Sequence, residues 1–225
     1  MSFDPNNEYK FGERHYINAN FPLDYEFEKG EKGNFLFLHG YGQHFGVMKR
    51  FFSSIVPQGY GKLFINGPFP IGPSVNQPLE NIKHSYAWYF FNPHTKKYFI
   101  KPNVPAALIK GLCTHLKIKD SMHIVGYSQG GYLAPFLGEE FKNSVVYALN
   151  SNIRTDLLRP IIDYKYIAIN GAEDDVVDPT SATDSFQELI TSGNQVVSHI
   201  LPNSGHRIDQ QMINQLKLCI EENIP

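Results

Sequence analysis

Short apolar runs bounded by turn residues alternate along the chain with stretches of helical periodicity. The apolar runs lie at 34–40, 62–67, 121–128, 144–150, 165–171 and 195–202. The helical stretches lie at about 44–56, 104–117, 129–141, 180–192 and 207–222. Several runs are apolar on both faces, which is typical of parallel strands covered by helices on both sides. The alternation therefore predicts an α/β fold with a mostly parallel central sheet and right-handed crossovers.

Two regions depart from this alternation. Residues 9–20 and 23–34 look like extended segments joined by turns, and we expect them to be antiparallel strands at one edge of the sheet. Residues 67–103 are rich in prolines and aromatic residues. A loop of that length inside a compact domain is usually functional or disordered, and its aromatic content disfavours disorder.

Composition and charge exclude several classes of protein. A hydrophobic content of 42% in 225 residues is enough for a sizeable core, and no linker divides the chain, so we expect one domain spanning residues 1–225. The formal charge of -2 comes from interspersed acidic and basic residues. Without a basic stripe, nucleic acid is not expected as a partner.

Three features bear on where the protein resides. The N-terminal residues include several acids and lack a basic start followed by an apolar run, so we do not expect a secretory signal. No apolar run is long enough to span a bilayer, so stable membrane insertion is not expected. The two cysteines, Cys113 and Cys219, lie in helical stretches, which favours reduced thiols and a cytoplasmic location.

A serine between glycines stands where a predicted strand ends and a helix begins. The sequence Gly126-Tyr127-Ser128-Gln129-Gly130 has the G-x-S-x-G pattern of a nucleophile elbow in the strand–turn–helix context that this motif requires. The glycines are needed because the tight turn brings backbone segments too close for side chains. The alternative is that Ser128 is an ordinary helix N-cap and that the glycines serve packing.

A serine nucleophile needs a base, and the base needs an acid that orients it. In hydrolases of this architecture the chain order is serine, acid, histidine, with the acid and the histidine on loops after later strands. The loop after 195–202 offers His206. The loop after 165–171 offers four acids, which are Glu173, Asp174, Asp175 and Asp178.

Local context separates the competing candidates. We predict His206 as the base, because His199 lies within a strand and is better explained by packing. Asp178 precedes a proline at the start of a helix, so an N-cap role is sufficient for it. We predict Asp174 as the acid, and Asp175 is the main alternative.

Five further histidines show no zinc-site spacing near acidic ligands, so we expect no metal; they are His44, His84, His94, His115 and His123. His39 ends the strand at 34–40, and we expect it to brace the adjacent loop through hydrogen bonds.

Acyl transfer also needs hydrogen-bond donors for the oxyanion. One expected donor is the backbone N–H of Gln129, the residue after the nucleophile, at the positive end of a helix. The other is the backbone N–H of Tyr41, whose flanking glycines let the chain bend close to a substrate. The alternative for this loop is a plain glycine-rich turn.

Aromatic residues are expected to wall an apolar pocket beside these groups, with Phe45, Phe69 and Trp88 as the main candidates. The alternative is that Trp88 and its neighbours simply cover the core.

Together these segments resemble the α/β-hydrolase superfamily. The matching segments are "LHGYG", "FINGPFPIGP" leading to "YAWYF", "GYSQGG", "NGAEDDVV" and "SGH". More narrowly they resemble the phospholipase/carboxylesterase group that includes the acyl-protein thioesterases, over residues 34–222. The resemblance implies an α/β-hydrolase fold and a cofactor-free serine esterase or thioesterase. It further implies Ser128 as nucleophile, Asp174 as acid and His206 as base, acting on a small or lipid-like ester.

The chain departs from the family pattern in three places. Gln43 stands where the family commonly has an aspartate, "VVDP" replaces the usual "V-x-P" after the acid, and the N-terminal extension is longer than typical. Two other classes of function therefore stay open, a hydrolase-fold protein that binds a small molecule without turning it over and a peptidase or acyltransferase on the same scaffold. A homodimer is a further hypothesis.

Overall fold

The structure is a computed structural model that describes residues 20–72, 85–92, 94–95, 97–118 and 121–224. Its helices are α1 (Phe45–Phe52), α2 (Asn103–His115), α3 (Gln129–Gly138), α4 (Pro179–Thr191) and α5 (Gln210–Glu221). The strands of its main sheet are β1 (Tyr25–Glu28), β2 (Gly33–Leu38), β3 (Tyr60–Ile65), β8 (Met122–Tyr127), β9 (Val145–Leu149), β10 (Lys165–Gly171) and β11 (Val196–Leu201). Four further strands are β4 (Phe69–Ile71), β5 (Ser85–Ala87), β6 (Phe90–Asn92) and β7 (Lys97–Ile100).

The main sheet of the described residues has the strand order β1-β3-β2-β8-β9-β10-β11. All neighbours in it run parallel except β1, which pairs antiparallel with β3. The predicted mostly parallel sheet and the antiparallel edge strand at 25–28 are therefore confirmed. The other expected edge segment, residues 9–20, lies outside the described residues except for Asn20.

The core lies in two layers, one on each face of this sheet. On β2, Leu36 and Leu38 face a cluster that includes α2, α3 and α4, whereas Phe35 and Phe37 face a cluster that includes α1 and α5. All four side chains are fully buried, and each such burial contributes about 1.5–3 kcal/mol. Because helices cover both faces of the sheet, the sequences of its strands are apolar on both faces.

Residues 67–103 do not form the single long loop that the sequence predicts. They contain two small antiparallel sheets, β4 with β5 and β6 with β7, and then the start of α2. Residues 73–84, 93 and 96 of this region lie outside the described residues. Strands of three or four residues are too short to show an alternating pattern, and for that reason the sequence did not predict them.

The two cysteines lie on different helices of the two layers. Cys113 on α2 and Cys219 on α5 are both buried free thiols. No helix within the described ranges combines the length and the apolar character that crossing a bilayer requires.

Candidate active site

Ser128 lies directly between the end of β8 and the start of α3. Its backbone has φ 51° and ψ -116°, a strained conformation for a residue other than glycine. Such strain costs about 1–3 kcal/mol and persists only where the surrounding structure enforces it. The Ser128 side chain makes no capping hydrogen bond to α3, so the structure does not support an ordinary N-cap role.

Two glycines make this turn sterically feasible. A Cβ atom on Gly126 would lie 2.2 Å from the carbonyl oxygen of Gly130, within the first turn of α3. A Cβ atom on Gly130 would lie 2.3 Å from the carbonyl oxygen of Leu38, at the end of β2. The backbones of β8, α3 and β2 thus approach each other more closely than side chains allow.

A chain of side-chain hydrogen bonds connects Ser128 to a buried carboxylate. His206, on the loop after β11, has Nε2 2.9 Å from the Ser128 Oγ and Nδ1 2.8 Å from the Asp174 Oδ2. Asp174, on the loop after β10, is buried and its Oδ1 accepts the backbone N–H groups of Val176 and Val177 at 2.9 and 2.8 Å. The structure therefore brings the predicted nucleophile, base and acid together.

The competing candidates lie elsewhere. Glu173 and Asp175 are exposed on either side of Asp174. Asp178 is the N-cap of α4, where its carboxylate accepts the N–H groups of two residues in the first turn. His199 points from β11 to α5, with Nε2 3.5 Å from the Cys219 sulfur. Of the four acids, Asp174 is the one that contacts the imidazole of His206.

Two residues that the sequence reasoning missed hold the histidine loop in place. Asn150, fully buried after β9, donates from Nδ2 to the Gly205 carbonyl at 2.9 Å and accepts the Gly171 N–H at 2.9 Å. The Tyr127 hydroxyl donates to the His206 carbonyl at 3.1 Å. An asparagine directly after an apolar strand, at the edge where the other site residues lie, was the available signal for the first of these.

The loop after β2 is built around a buried histidine. His39 has Nδ1 2.7 Å from the Gly40 carbonyl oxygen, and its Nε2 accepts the Gly67 N–H at 2.9 Å. An acceptor at Nε2 and a carbonyl beside Nδ1 require the neutral ring with its proton on Nδ1. Burial favours the same form, because desolvation lowers the pKa of His39 to about 4. These contacts match the bracing function predicted for His39.

Gln43 closes the same loop. Its Oε1 accepts the Gly40 N–H at 3.0 Å. Gly42 has φ 72°, a left-handed conformation that favours glycine. Tyr41 lies at the apex of the turn between the two glycines, and its side chain is 57% exposed.

The Gln129 backbone N–H belongs to the first residue of α3, where helix geometry provides no intrahelical acceptor. Its expected oxyanion role and that of the Tyr41 N–H stay predictions.

The three predicted pocket residues occupy different environments. Phe45 and Phe69 are partly exposed, and their assignment to a pocket stays a prediction. Trp88 has no exposed surface; its indole Nε1 donates to the His39 carbonyl at 2.7 Å, and its ring lies 4.8 Å from the His39 ring. This placement fits the alternative, in which Trp88 covers the core. Among the described residues, no group of three or more His, Cys, Asp or Glu is arranged to hold a metal ion.

Several solved structures with a similar fold are named as esterases or thioesterases. Esterase PE8 superposes with a TM-score of 0.70 at 20% identity, over 90% of this chain and 99% of its own. A carboxylesterase from Mesorhizobium loti gives 0.69 at 15% identity, over 92% and 98%. Acyl-protein thioesterase 2 from Zea mays gives 0.68 at 15% identity, over 90% and 99%. These likenesses confirm the predicted α/β-hydrolase fold.

Sequence comparison identifies the family. A search of curated protein sequences returned no match. The sequence profile of the family described as "Serine hydrolase (FSH1)" matches residues 28–211. Because this match covers well over half of the chain, the protein belongs to the serine hydrolase (FSH1) family.

Proposed function

We propose that the protein hydrolyses carboxylic esters or thioesters through an acyl-enzyme intermediate on Ser128. The observation that carries this proposal is the His206 imidazole, which is hydrogen-bonded to the Ser128 hydroxyl at one nitrogen and to the Asp174 carboxylate at the other. Membership of a serine hydrolase family supports it. The names of the fold neighbours, esterase, carboxylesterase and acyl-protein thioesterase, support an acyl substrate.

In the first half of the reaction the Ser128 Oγ attacks the substrate carbonyl while His206 Nε2 accepts the hydroxyl proton. The imidazolium that forms is stabilised by the Asp174 carboxylate at Nδ1. Two backbone N–H groups on Asp174 Oδ1 keep this carboxylate from rotating away from the ring. The negative charge that develops on the carbonyl oxygen is received by the backbone N–H groups of Tyr41 and Gln129.

Departure of the alcohol or thiol completes the acyl-enzyme, and hydrolysis then releases the acyl group. His206 gives its proton to the leaving alkoxide or thiolate as the bond to the carbonyl carbon breaks. Water then attacks the Ser128 ester with the same imidazole as base, the imidazolium returns this proton to the Ser128 Oγ as the bond to the acyl carbon breaks, and the free acid departs. No cofactor takes part in these steps.

Two large side chains that are mainly apolar are exposed near the site. Tyr41, on the loop after β2, is 57% exposed, and Val176, two residues after Asp174, is 67% exposed. Large exposed apolar side chains beside reacting groups favour an apolar ligand. With Phe45 and Phe69 as additional candidate walls, the arrangement supports an acyl chain or another lipid-like group as the substrate portion bound here.

A substrate panel tests the proposal. We expect the wild-type protein to hydrolyse p-nitrophenyl butyrate or a butyryl thioester and to be labelled by a fluorophosphonate. Ser128→Ala should abolish labelling and nearly all turnover, whereas the exposed Ser198→Ala, a matched change on β11, should leave both unchanged. Normal turnover by Ser128→Ala would refute the proposal. A wild-type protein that is neither labelled nor active would instead indicate a binding protein, and cleavage of amides alone would indicate a peptidase.

A further inference from the structure

The Gln129 side chain joins α3 to the backbone between β5 and β6. Its Oε1 accepts the Trp88 N–H at 2.9 Å, and its Nε2 donates to the Tyr89 carbonyl at 2.9 Å. Trp88 and Tyr89 lie between the two strands and therefore lack the ladder partners that strand residues have. The amide of Gln129 supplies these partners in the manner of a neighbouring peptide group.

The same stretch of backbone is bonded to the loop that carries Tyr41. The Gly42 N–H donates to the Tyr86 carbonyl at 3.0 Å, and the Tyr86 N–H donates to the Gln43 carbonyl at 2.9 Å. Through its indole, Trp88 also donates to the carbonyl of His39. Residues 86–89, which we call the bridging segment, thus contact both the loop that carries Tyr41 and the first residue of α3, where the expected oxyanion donors lie.

The middle of the bridging segment is fully buried. Ala87 and Trp88 have no exposed surface. A Cβ atom on Gly67 would lie 2.5 Å from the Ala87 carbonyl oxygen, so the backbone after β3 is in direct contact with the segment. A segment confined in this way transmits a displacement at one end to the other, because the packed interior leaves no space for it to deform.

We propose that the Gln129 side chain is a positioning group for the oxyanion site. Through the bridging segment it fixes the Tyr41 N–H at a set distance from the Gln129 N–H. The residue thereby has two separate functions, a backbone donor to the oxyanion and a side chain that places the other donor. This inference rests on the proposed acyl-enzyme chemistry.

The proposal predicts a loss in the transition state and not in substrate binding. Gln129→Met keeps the size of the side chain and the backbone donor but removes both hydrogen bonds to the bridging segment. We expect kcat to fall about 10-fold to 100-fold with KM nearly unchanged, because a displaced donor acts mainly on the charged intermediate. Gln129→Glu keeps the acceptor for the Trp88 N–H and places a negative charge against the Tyr89 carbonyl, so its loss should be larger.

The experiment measures kcat per active site, counted by fluorophosphonate stoichiometry, together with the affinity of a trifluoromethyl ketone whose hemiketal oxygen occupies the oxyanion site. Gln187→Met, the same change on the exposed face of α4, is the control and should match the wild type. Equal fractional losses in kcat/KM and in ketone affinity across the Met and Glu variants support the proposal. If the Gln129→Met variant does not fold, Gln129→Glu tests the same two contacts by the same measurements.

Three results would overturn the inference. One is a variant with wild-type kcat per labelled site and a lower melting temperature, since the side chain would then act on stability alone. Another is a rise in KM at constant kcat, which would make Gln129 a substrate-binding residue. The third is an unchanged ketone affinity in spite of a lower kcat. Activity that survives in Ser128→Ala would refute the underlying acyl-enzyme chemistry instead, so the two failures are distinguishable.

Discussion

Replacing Gly126 by alanine should damage catalysis through the backbone, although the residue has no side chain to contribute. The added Cβ would lie 2.2 Å from the Gly130 carbonyl oxygen, against at least 3.4 Å for ordinary contact. The neighbour is helix backbone, so the first turn of α3 has to move by roughly 1 Å, a strain of about 1–3 kcal/mol. A displacement of about 1 Å of a reacting group costs about 100-fold in rate. We therefore expect Gly126→Ala to lose about 100-fold in kcat and about 1–3 kcal/mol in the free energy of unfolding.

The matched control is Gly111→Ala on α2, where an added Cβ meets nothing within 4 Å. There the same change should stabilise the fold by about 0.5–1 kcal/mol, because alanine is the better helix former, and leave kcat unaltered. Urea unfolding gives the free energies, and hydrolysis of p-nitrophenyl butyrate, normalised to fluorophosphonate-labelled sites, gives kcat. Wild-type kcat per labelled site in Gly126→Ala would show that the elbow tolerates this shift and would refute the reasoning.

Three further predictions follow from the contacts of the site and the core. Asp174→Asn should lower kcat by about 10³–10⁴-fold because the base loses its tautomer and its charge partner, whereas the exposed Asp175→Asn should stay within about 2-fold in the same ester assay. Burial lowers the pKa values of His39 and His123 from 6.5 to about 4 in the folded protein. Between these two pH values the unfolded chain therefore binds more protons than the folded protein. Unfolding free energy measured by urea titration should therefore decrease as pH is lowered from about 6.5 to about 4, by up to about 1.4 kcal/mol per pH unit for each ring; a flat profile would contradict this. Tyr127→Phe removes the hydroxyl that holds the histidine loop and should cost about 1 kcal/mol and a few-fold in kcat, and unchanged values in both assays would exclude that function.

The sequence predicted the fold and the meeting of the site residues because both depend on local constraints. An apolar strand, a glycine-bounded turn and a helix define the elbow around Ser128 within ten residues. Parallel strands then bring the loops after β10 and β11 to the same edge, so His206 had to approach it. Their catalytic functions stay predictions until they are measured.

Other features depend on tertiary contacts that no local pattern encodes. Asp174 and Asp175 are adjacent and chemically identical, and only the path of the loop decides which of them is buried against the imidazole. The sequence around Trp88 fits a core position and a pocket wall equally well, since both environments are apolar. The contact of Asn150 with Gly205 and those of Gln129 with Trp88 and Tyr89 connect residues 40 or more positions apart, so they became visible only in the assembled fold.

The burial of Trp88 gives the protein a built-in optical probe. It is the single tryptophan of the chain, so the intrinsic indole fluorescence originates from one position. That position is in contact with the His39 ring and lies beneath the loop that carries Tyr41. A change in emission on adding an inhibitor or a denaturant therefore reports on the surroundings of the loop that carries Tyr41, without a label.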